Sequence, residues 1–249
     1  MGEWEKIFSD YKIHEHDFSK EPFYITATQI KASCEGFVIG GRTEPRILCK
    51  HDTREKRPQV FKDKGLFILP TKNKFYAILQ GEGYVDIPDI TSEPKEHKSI
   101  LDFELETANI GDSEMQHLDF AYASSIIRTF MDDPSLVLTI RGRKYTPEFS
   151  FKVSHYELQT QSVQTEVDAG YEGRDSVVLV EAKNSSTSNE IIRQLYYPYR
   201  QWQEHTTKKV TTLFFERRGN LYYLWQFGFT DMNNYNSIKL LRTARYRIL

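Results

Sequence analysis

The sequence predicts an α/β protein in which helices flank one central mixed β-sheet, preceded by a β-rich N-terminal module. Apolar residues recur at helical spacing after residue 112, and short β-branched and aromatic runs follow as far as residue 183. A second helical pattern and further strand-like runs complete the chain. The hydrophobic fraction of 39% and the aromatic fraction of 14% exclude bulk disorder, because disordered chains lack the apolar surface that offsets the cost of ordering.

The first part of the chain carries short β-prone runs separated by Gly, Pro and Asn, a pattern typical of strands and turns. These runs are Phe23-Tyr24-Ile25-Thr26, Gly36-Phe37-Val38-Ile39, Arg46-Ile47-Leu48-Cys49, Leu66-Phe67-Ile68-Leu69 and Lys74-Phe75-Tyr76-Ala77-Ile78-Leu79. The polar, proline-bearing stretch 87–98 predicts a linker. We therefore expect a β-rich module over residues 1–98 and a second domain over residues 99–249.

The clearest helical pattern in the chain opens this second domain. Asp112 or Ser113 can cap its first turn, and Asp133-Pro134 predicts its end. Its apolar positions are Met115, Leu118, Ala121, Tyr122, Ile126 and Phe130. Short β-branched or aromatic runs bounded by turn residues then predict strands. These strands are expected over residues 136–140, 148–153, 162–168 and 176–181.

A second helix is expected after these strands. Thr187-x-x-Glu190 matches a capping box, in which two side chains satisfy free N–H groups of the first helical turn. Pro198 either kinks or splits this helix, because proline lacks a backbone donor and crowds the preceding turn. Strand-like runs at 210–215 and 221–227 complete the mixed sheet.

Composition and charge narrow the class of protein. The chain shows no signal peptide and no run of about 18 apolar residues, so we expect a cytoplasmic protein without a membrane partner. Cys34 and Cys49 lack zinc spacing, which favours reduced structural thiols over a redox pair. The net charge is −2, but residues 82–119 hold 11 acids against 2 bases and residues 193–249 hold 10 bases against 3 acids. Because local fields decide whether phosphates are attracted, nucleic-acid binding is compatible with this total.

Charged side chains stand two residues apart at the ends of two predicted strands. Alternation places Glu166 and Asp168 on one face of the first, while an apolar run leads into Glu181 and Lys183 on the second. Together, Asp168, Glu181 and Lys183 would form an oxygen-rich site for Mg²⁺, which accepts one or two carboxylates and completes its coordination with waters and phosphate. Phosphodiester hydrolysis suits such a site, because the metal activates water and the ammonium offsets charge developing on phosphorus.

The Glu-x-Lys pattern alone is a weak signal. Glu93-Pro-Lys95 and Glu96-His-Lys98 also occur, but in the polar linker, where surface charge is expected. Glu181-Ala-Lys183 differs because it ends an apolar strand and follows, after a turn with Gly170 and Gly173, a strand that ends in an acid. This context favours a functional site over a solvated ion pair on an edge strand.

Glu166-Val-Asp168 with Glu181-Ala-Lys183 resembles the Asp…Glu-x-Lys signature of the PD-(D/E)XK nuclease superfamily, although Val167 stands where that superfamily often has proline. The helix expected over 190–199 resembles the one that lines the site in related nucleases with a Gln and a Tyr, here Gln194 and Tyr197. The superfamily resemblance covers residues 112–230. Across most of the chain the sequence is similar to that of a group of predicted type II restriction endonucleases, which implies a restriction-endonuclease-like fold.

This resemblance implies roles for further residues. The superfamily commonly places another acid on the helix before the sheet, and Glu114 is the candidate, with Asp119 behind it. A first-turn Glu that complements the helix dipole is the alternative for Glu114. Glu166 is either a further metal ligand beside Asp168 and Glu181 or an exposed strand acid. Gln194 is either a catalytic-site residue or a helix-surface residue.

Basic residues that could hold DNA fall in two places. Arg141, Arg143 and Lys144 follow a predicted strand, while Arg54 and Arg57 belong to a basic cluster in the N-terminal module, for which a solvated loop is the alternative. Arginine suits both phosphates and guanine edges because its guanidinium donates two parallel hydrogen bonds.

The expected function is that of a Mg²⁺-dependent type II restriction endonuclease acting on double-stranded DNA. A homodimer is expected, because two-fold symmetry lets each subunit cut one strand of a palindromic site. A repair or recombination nuclease of the same fold and a DNA-binding module that does not cleave are the alternatives. The sequence leaves open whether a cognate DNA methyltransferase acts in the same system.

Overall fold

The computed structural model describes residues 2–37, 43–111 and 113–249. The N-terminal part combines helices with a three-stranded antiparallel sheet of order β1-β3-β2. Its elements are α1 (Glu3–Asp10), β1 (Phe23–Thr26), α2 (Ala27–Ser33), α3 (Pro45–Leu48), α4 (Gln59–Asp63), β2 (Leu66–Lys72) and β3 (Phe75–Gln80). The sequence predicted a β-rich module here, but the structure shows a mixture of helices and strands.

Three of the β-prone runs in this part form the strands β1, β2 and β3. The prediction at Arg46-Ile47-Leu48-Cys49 is wrong, because Pro45 opens the short helix α3 there. Proline is favoured at the first position of a helix, since its fixed φ is already helical and it needs no N–H partner. Of the run Gly36-Phe37-Val38-Ile39, Val38 and Ile39 lie outside the described residues.

The rest of the chain builds a seven-stranded mixed sheet, two small sheets and the helices around them. Its elements are β4 (Tyr84–Asp86), β5 (Lys95–His97), α5 (Glu114–Ala123), α6 (Ile126–Met131), β6 (Val137–Tyr145), β7 (Phe149–Val153), β8 (Tyr156–Thr160), β9 (Gln164–Glu172), β10 (Ser176–Lys183), β11 (Asn189–Ile191), α7 (Arg193–Gln203), β12 (Lys209–Arg218), β13 (Leu221–Phe229) and β14 (Ile238–Ile248).

The large sheet has the order β5-β14-β13-β12-β10-β9-β6. The pairs β10/β12 and β14/β5 are parallel, whereas the other neighbours are antiparallel. The predicted α/β class with a central mixed sheet flanked by helices is therefore confirmed. Among the described residues, no helix is long and apolar enough to cross a membrane.

Strand β10 is buried on both faces, which explains its nearly continuous apolar sequence. Val178 and Val180 belong to the core that contains the buried residues of α5 and α6. Val177 and Leu179 belong to the core on the other face, beneath α7. Alternation along the strand therefore carries Glu181 to the α7 face of the sheet.

The helix expected after residue 112 is interrupted. The side chain of Ser113 accepts a hydrogen bond from the Gln116 N–H and caps α5, while Asp112, the alternative cap, lies outside the described residues. Ser125 adopts a left-handed conformation with φ of 72°, and α6 begins only after it. Apolar spacing continues across this break, so the sequence pattern alone did not reveal it.

The predicted capping box is wrong. Glu190 lies in β11, which pairs with β4, and α7 begins only at Arg193. The Thr187 N–H instead donates to Glu216 on β12 at 2.9 Å. Helix α7 continues through Pro198 and is not split by it.

Two further segments differ from expectation. The stretch 87–98 buries Ile87 and Ile90 in a core cluster and adds β5 to the large sheet. Gly170 lies within β9 and not in a turn; a Cβ there would stand 2.6 Å from Ile140 on β6. A glycine at this position therefore allows the close approach of two strands.

Candidate active site

The two strands of the predicted signature are neighbours in the sheet. Ala169 on β9 pairs with Val180 on β10, so Asp168 stands beside the end of β10. One carboxylate oxygen of Asp168, Oδ2, accepts a hydrogen bond from the backbone N–H of Ala182 at 2.7 Å. Asp168 is therefore held next to Glu181 and Lys183 by the backbone between them.

Glu181 is the centre of this cluster. Its Oε1 atom accepts a hydrogen bond from Lys183 Nζ at 2.5 Å and a longer one from Gln194 Nε2 at 3.4 Å. Gln194 reaches Glu181 from the second position of α7, the helix that covers this face. The helix that the sequence placed after the Glu-x-Lys motif thus contributes a side chain to the same cluster.

Burial dominates the electrostatics of the carboxylates. It raises the pKa of Glu181 to about 7, against the opposing effect of Lys183, and it raises the pKa of Asp168 as well. Burial alone would lower the pKa of Lys183, but the carboxylates of Glu181 and Glu190 raise it above its usual value. The two carboxylates therefore favour the ammonium form of Lys183.

Glu114 also reaches this end of the sheet. It is the first residue of α5, and its Oε1 atom accepts a hydrogen bond from the backbone N–H of Asn184, one residue beyond Lys183. Its negative charge is close enough to raise the pKa of Asp168. Asp119, farther along α5, forms an ion pair with Arg141 instead.

Glu166 faces another partner. It stands opposite Arg143 in the β6/β9 register, and Arg143 Nε lies 3.3 Å from Glu166 Oε2 with both side chains more than half exposed. Glu166 also lines a narrow crevice that Glu181 and Gln194 share. The metal-ligand role of Glu166 stays a prediction, and its ion pair with Arg143 is the contact that such a role would have to replace.

Tyr197 lies in the core. Its side chain is fully buried, and its hydroxyl donates to the carbonyl of Pro70 in the N-terminal part. Its hydroxyl therefore binds β2, whereas Gln194 is the residue of α7 that donates a hydrogen bond to Glu181.

The basic residues expected to contact DNA lie in two environments. Arg141, Arg143 and the exposed Lys144 are on β6, at the edge of the large sheet. Arg54 binds Asp86 at 2.5 Å and Arg57 donates to the carbonyl of Leu66, so both connect parts of the protein to one another. Their contact with DNA stays a prediction.

Replacement of Arg141 and Arg143 by Ala is expected to weaken DNA binding and flatten its salt dependence. If each arginine neutralises one phosphate, the slope of log K against log salt should decrease by about 2. Binding measured at several salt concentrations tests this. Lys20→Ala, which removes a surface base paired with Asp17, should leave the slope unchanged. A double variant with the wild-type slope would exclude these phosphate contacts.

Sequence reasoning missed Glu190 and Asp52 near Lys183. Glu190 Oε2 lies 3.7 Å from Lys183 Nζ, and burial raises the pKa of Glu190 to about 8. The buried Asp52 belongs to the N-terminal part, and its charge contributes to the raised pKa values of Lys183 and Glu190. The apparent capping box hid the position of Glu190, and no local pattern connects Asp52 with β10.

The donor set suits a hard cation that retains water ligands. Within residues 2–37, 43–111 and 113–249, no group of three or more His, Cys, Asp or Glu side chains could by itself hold a metal ion. Asp168 and Glu181 supply two carboxylates, and Mg²⁺ is often bound through one or two carboxylates plus waters and substrate phosphate. Glu181 is buried and Asp168 is partly buried, and this desolvation has an energetic cost that a bound cation would offset.

Cation binding should depend on pH through Glu181. Protonation neutralises this carboxylate below its pKa of about 7 and competes with a cation. We expect Ca²⁺ affinity to be nearly constant well above that pH and to fall by up to about tenfold per pH unit below it. Calorimetric titration with Ca²⁺ between roughly pH 5.5 and 9 measures this pH dependence, because that range brackets neutrality. Glu181→Gln should remove the dependence, and a wild-type affinity that does not change over this range would contradict it.

Comparisons with known families and proteins assign no activity to this arrangement. The family model for the domain of unknown function DUF6997 matches residues 79–247, and that for the domain of unknown function DUF6996 matches residues 2–78. No curated protein and no solved structure matches the chain. The first match spans every candidate catalytic residue, from Glu114 to Gln194.

Proposed function

Because the chain belongs to the DUF6997 family, whose description names no activity, we propose its function from the site: a Mg²⁺-dependent endonuclease of the PD-(D/E)XK type. More specifically, we propose a type II restriction endonuclease that cuts double-stranded DNA at a short sequence. The observation that carries the proposal is the meeting of Asp168, Glu181 and Lys183 at one end of the sheet. Gln194, from a separate helix, donates a hydrogen bond to Glu181 and further supports the proposal.

In this proposal Asp168 and Glu181 hold the cation, which would activate water and polarise a phosphoryl oxygen. Lys183 remains charged, orients the attacking water and offsets negative charge that builds on the phosphate. The water oxygen forms a bond to phosphorus as the bond to the leaving oxygen breaks; the proton that the water loses passes to solvent, and the leaving oxygen takes a proton from solvent. Gln194 fixes the Glu181 carboxylate, and Glu114 supports the turn after β10 through the Asn184 N–H.

The wider parts of the proposal follow from the resemblance to restriction enzymes. They are a restriction-endonuclease-like arrangement of the mixed sheet, a homodimer that cuts both strands of a palindrome, and activity in the cytoplasm. The exposed bases on β6, at the sheet edge, would contact the phosphate backbone.

Incubation of the purified protein with plasmid DNA and Mg²⁺ tests the proposal. We expect discrete fragments that disappear when EDTA removes the metal, because the carboxylates alone cannot activate water. Sequencing of the fragment ends would then give the recognition site. Smeared or end-dependent degradation would favour a repair nuclease of the same fold. If the protein binds DNA but does not cleave it with any of the divalent cations tested, the enzymatic proposal is overturned.

A further inference from the structure

We propose that Glu190 is a positioning residue for Lys183: it gives the ammonium a second carboxylate partner, so that Glu181 can turn its oxygens to a divalent cation. The inference rests on the proposed function of the site and goes beyond it, because the PD-(D/E)XK resemblance assigns no role to Glu190. Lys183 donates a hydrogen bond to Glu181, the carboxylate that the proposed cation would also need.

Glu190 is completely buried, with a relative exposure of 0%. Within the described part of the chain, neither of its carboxylate oxygens has a hydrogen-bond partner. The nearest cation is Lys183, whose Nζ lies 3.7 Å from Glu190 Oε2. Burying a carboxylate without hydrogen bonds costs folding free energy, so the position of Glu190 is not explained by a gain in stability.

The backbone around Glu190 is fixed by the N-terminal part of the protein. The Ile191 N–H donates to the carbonyl of Asp52 at 2.7 Å, and the Asn189 side chain binds Glu55. Both neighbours of Glu190 are thus held by the loop 52–55, while β11 as a whole pairs with β4. These contacts give Glu190 a defined place beside Lys183 and do not depend on a bond from its own carboxylate.

Lys183 and a cation would compete for the same oxygen. Glu181 Oε1 already accepts hydrogen bonds from Lys183 and Gln194, and a cation at that carboxylate would repel the ammonium. A shift of Nζ by about 1 Å would bring it within charge-assisted hydrogen-bond distance of Glu190. The charge of Asp52 also favours the ammonium form of Lys183. Lys183 can therefore leave Glu181 without leaving the site.

Without Glu190, the ammonium would lose the carboxylate that lies 3.7 Å from its Nζ atom and would continue to hold Glu181 against the cation. At a pH above the pKa of about 8 that burial gives Glu190, Glu190→Gln keeps the size of the side chain and removes its charge. We expect this variant to bind Ca²⁺ about 10- to 100-fold more weakly than wild type, the usual effect of losing a group that supports a metal ligand. The single-turnover rate in saturating Mg²⁺ should fall less than the metal affinity.

A double-mutant cycle separates action through Lys183 from a direct effect of charge on the cation. Ca²⁺ affinities of wild type, Glu190→Gln, Lys183→Met and the double variant are measured by calorimetry on the full chain, at a pH above the pKa of about 8 of Glu190, with urea unfolding to confirm that each is folded. In the Lys183→Met background, Glu190→Gln should change Ca²⁺ affinity less than twofold. Glu216→Gln is the control, because Glu216 is equally buried but binds Arg218.

The control substitution should leave Ca²⁺ affinity unchanged in both backgrounds. Equal losses from Glu190→Gln with and without Lys183 would overturn the inference, since Glu190 would then act directly on the cation. An unchanged affinity in Glu190→Gln alone would overturn it too. A wild-type protein that neither binds Ca²⁺ nor cuts DNA in Mg²⁺ would instead remove the proposed function, on which the inference depends.

Discussion

Asp168→Ala and Glu181→Ala are each expected to abolish DNA cleavage while DNA binding without metal is retained or strengthened. Each change removes a carboxylate that would hold the cation, and several kcal/mol of transition-state stabilisation correspond to a rate loss of roughly two to three orders of magnitude or more. Removal of negative charge also lessens repulsion of the DNA phosphates. Single-turnover cleavage in Mg²⁺ and DNA binding in EDTA measure the two effects separately.

Glu96→Ala provides the matched control, since Glu96 belongs to another Glu-x-Lys motif but is exposed on β5, away from the carboxylate cluster. It should change neither cleavage nor binding. The assignment of the metal ligands would be rejected if a folded Asp168→Ala protein cut DNA at near the wild-type rate. Parallel loss of binding and cleavage in both variants would point to a structural role for these carboxylates.

The parts of the site that the sequence predicted are those built on two adjacent buried strands. The apolar run of β10 requires burial on both faces, and alternation then fixes where Glu181 and Lys183 point. Asp168 could be placed beside them because β9 and β10 follow one another in the chain and pair. Such short-range connections leave few alternative arrangements.

The parts that sequence reasoning missed depend on contacts between distant residues. Glu190 reaches Lys183 because β11 pairs with β4, which lies about a hundred residues earlier in the chain. A pairing of that kind leaves no local periodicity, whereas Thr187 and Glu190 happen to satisfy the spacing of a capping box. Strand β14 was missed for a related reason. Its exposed positions are mostly basic or polar, so its partner β13, and not its own sequence, determines that it is a strand.

The use of Arg54 and Arg57 shows a second limit of sequence reasoning. A basic cluster predicts an electrostatic surface only if its members face solvent, and here both arginines bind acceptors within the protein. Arg54 connects the N-terminal part to Asp86 and Tyr84 on β4, the strand that holds β11. These bases therefore help to support the neighbourhood of Glu190 whether or not they also contact DNA.

Lys183→Ala is expected to slow the chemical step by about 100- to 1000-fold, the usual effect of removing a group that stabilises charge developing in the transition state. Specific DNA binding in Ca²⁺ should largely survive, because Asp168 and Glu181, the carboxylates proposed to hold the cation, remain. The raised pKa of Lys183 keeps it charged, so the loss should be similar at pH 7 and pH 9 and not confined to acidic conditions. Single-turnover cleavage at both pH values and binding in Ca²⁺ measure these effects.

The substitution also leaves Glu181 and Glu190 without their shared cation, so unfolding in urea must accompany the kinetics. Lys98→Ala, in the exposed Glu96-His-Lys98 motif, controls for loss of a lysine from a Glu-x-Lys sequence and should leave the rate unchanged. Since metal ligands and DNA contacts are both retained in Lys183→Ala, a selective loss of rate would indicate that the ammonium acts in the chemical step. If the folded variant still cuts at near the wild-type rate, Lys183 has no part in the reaction. The PD-(D/E)XK interpretation would then be wrong, because Lys183 is the residue on which the Glu-x-Lys motif most depends.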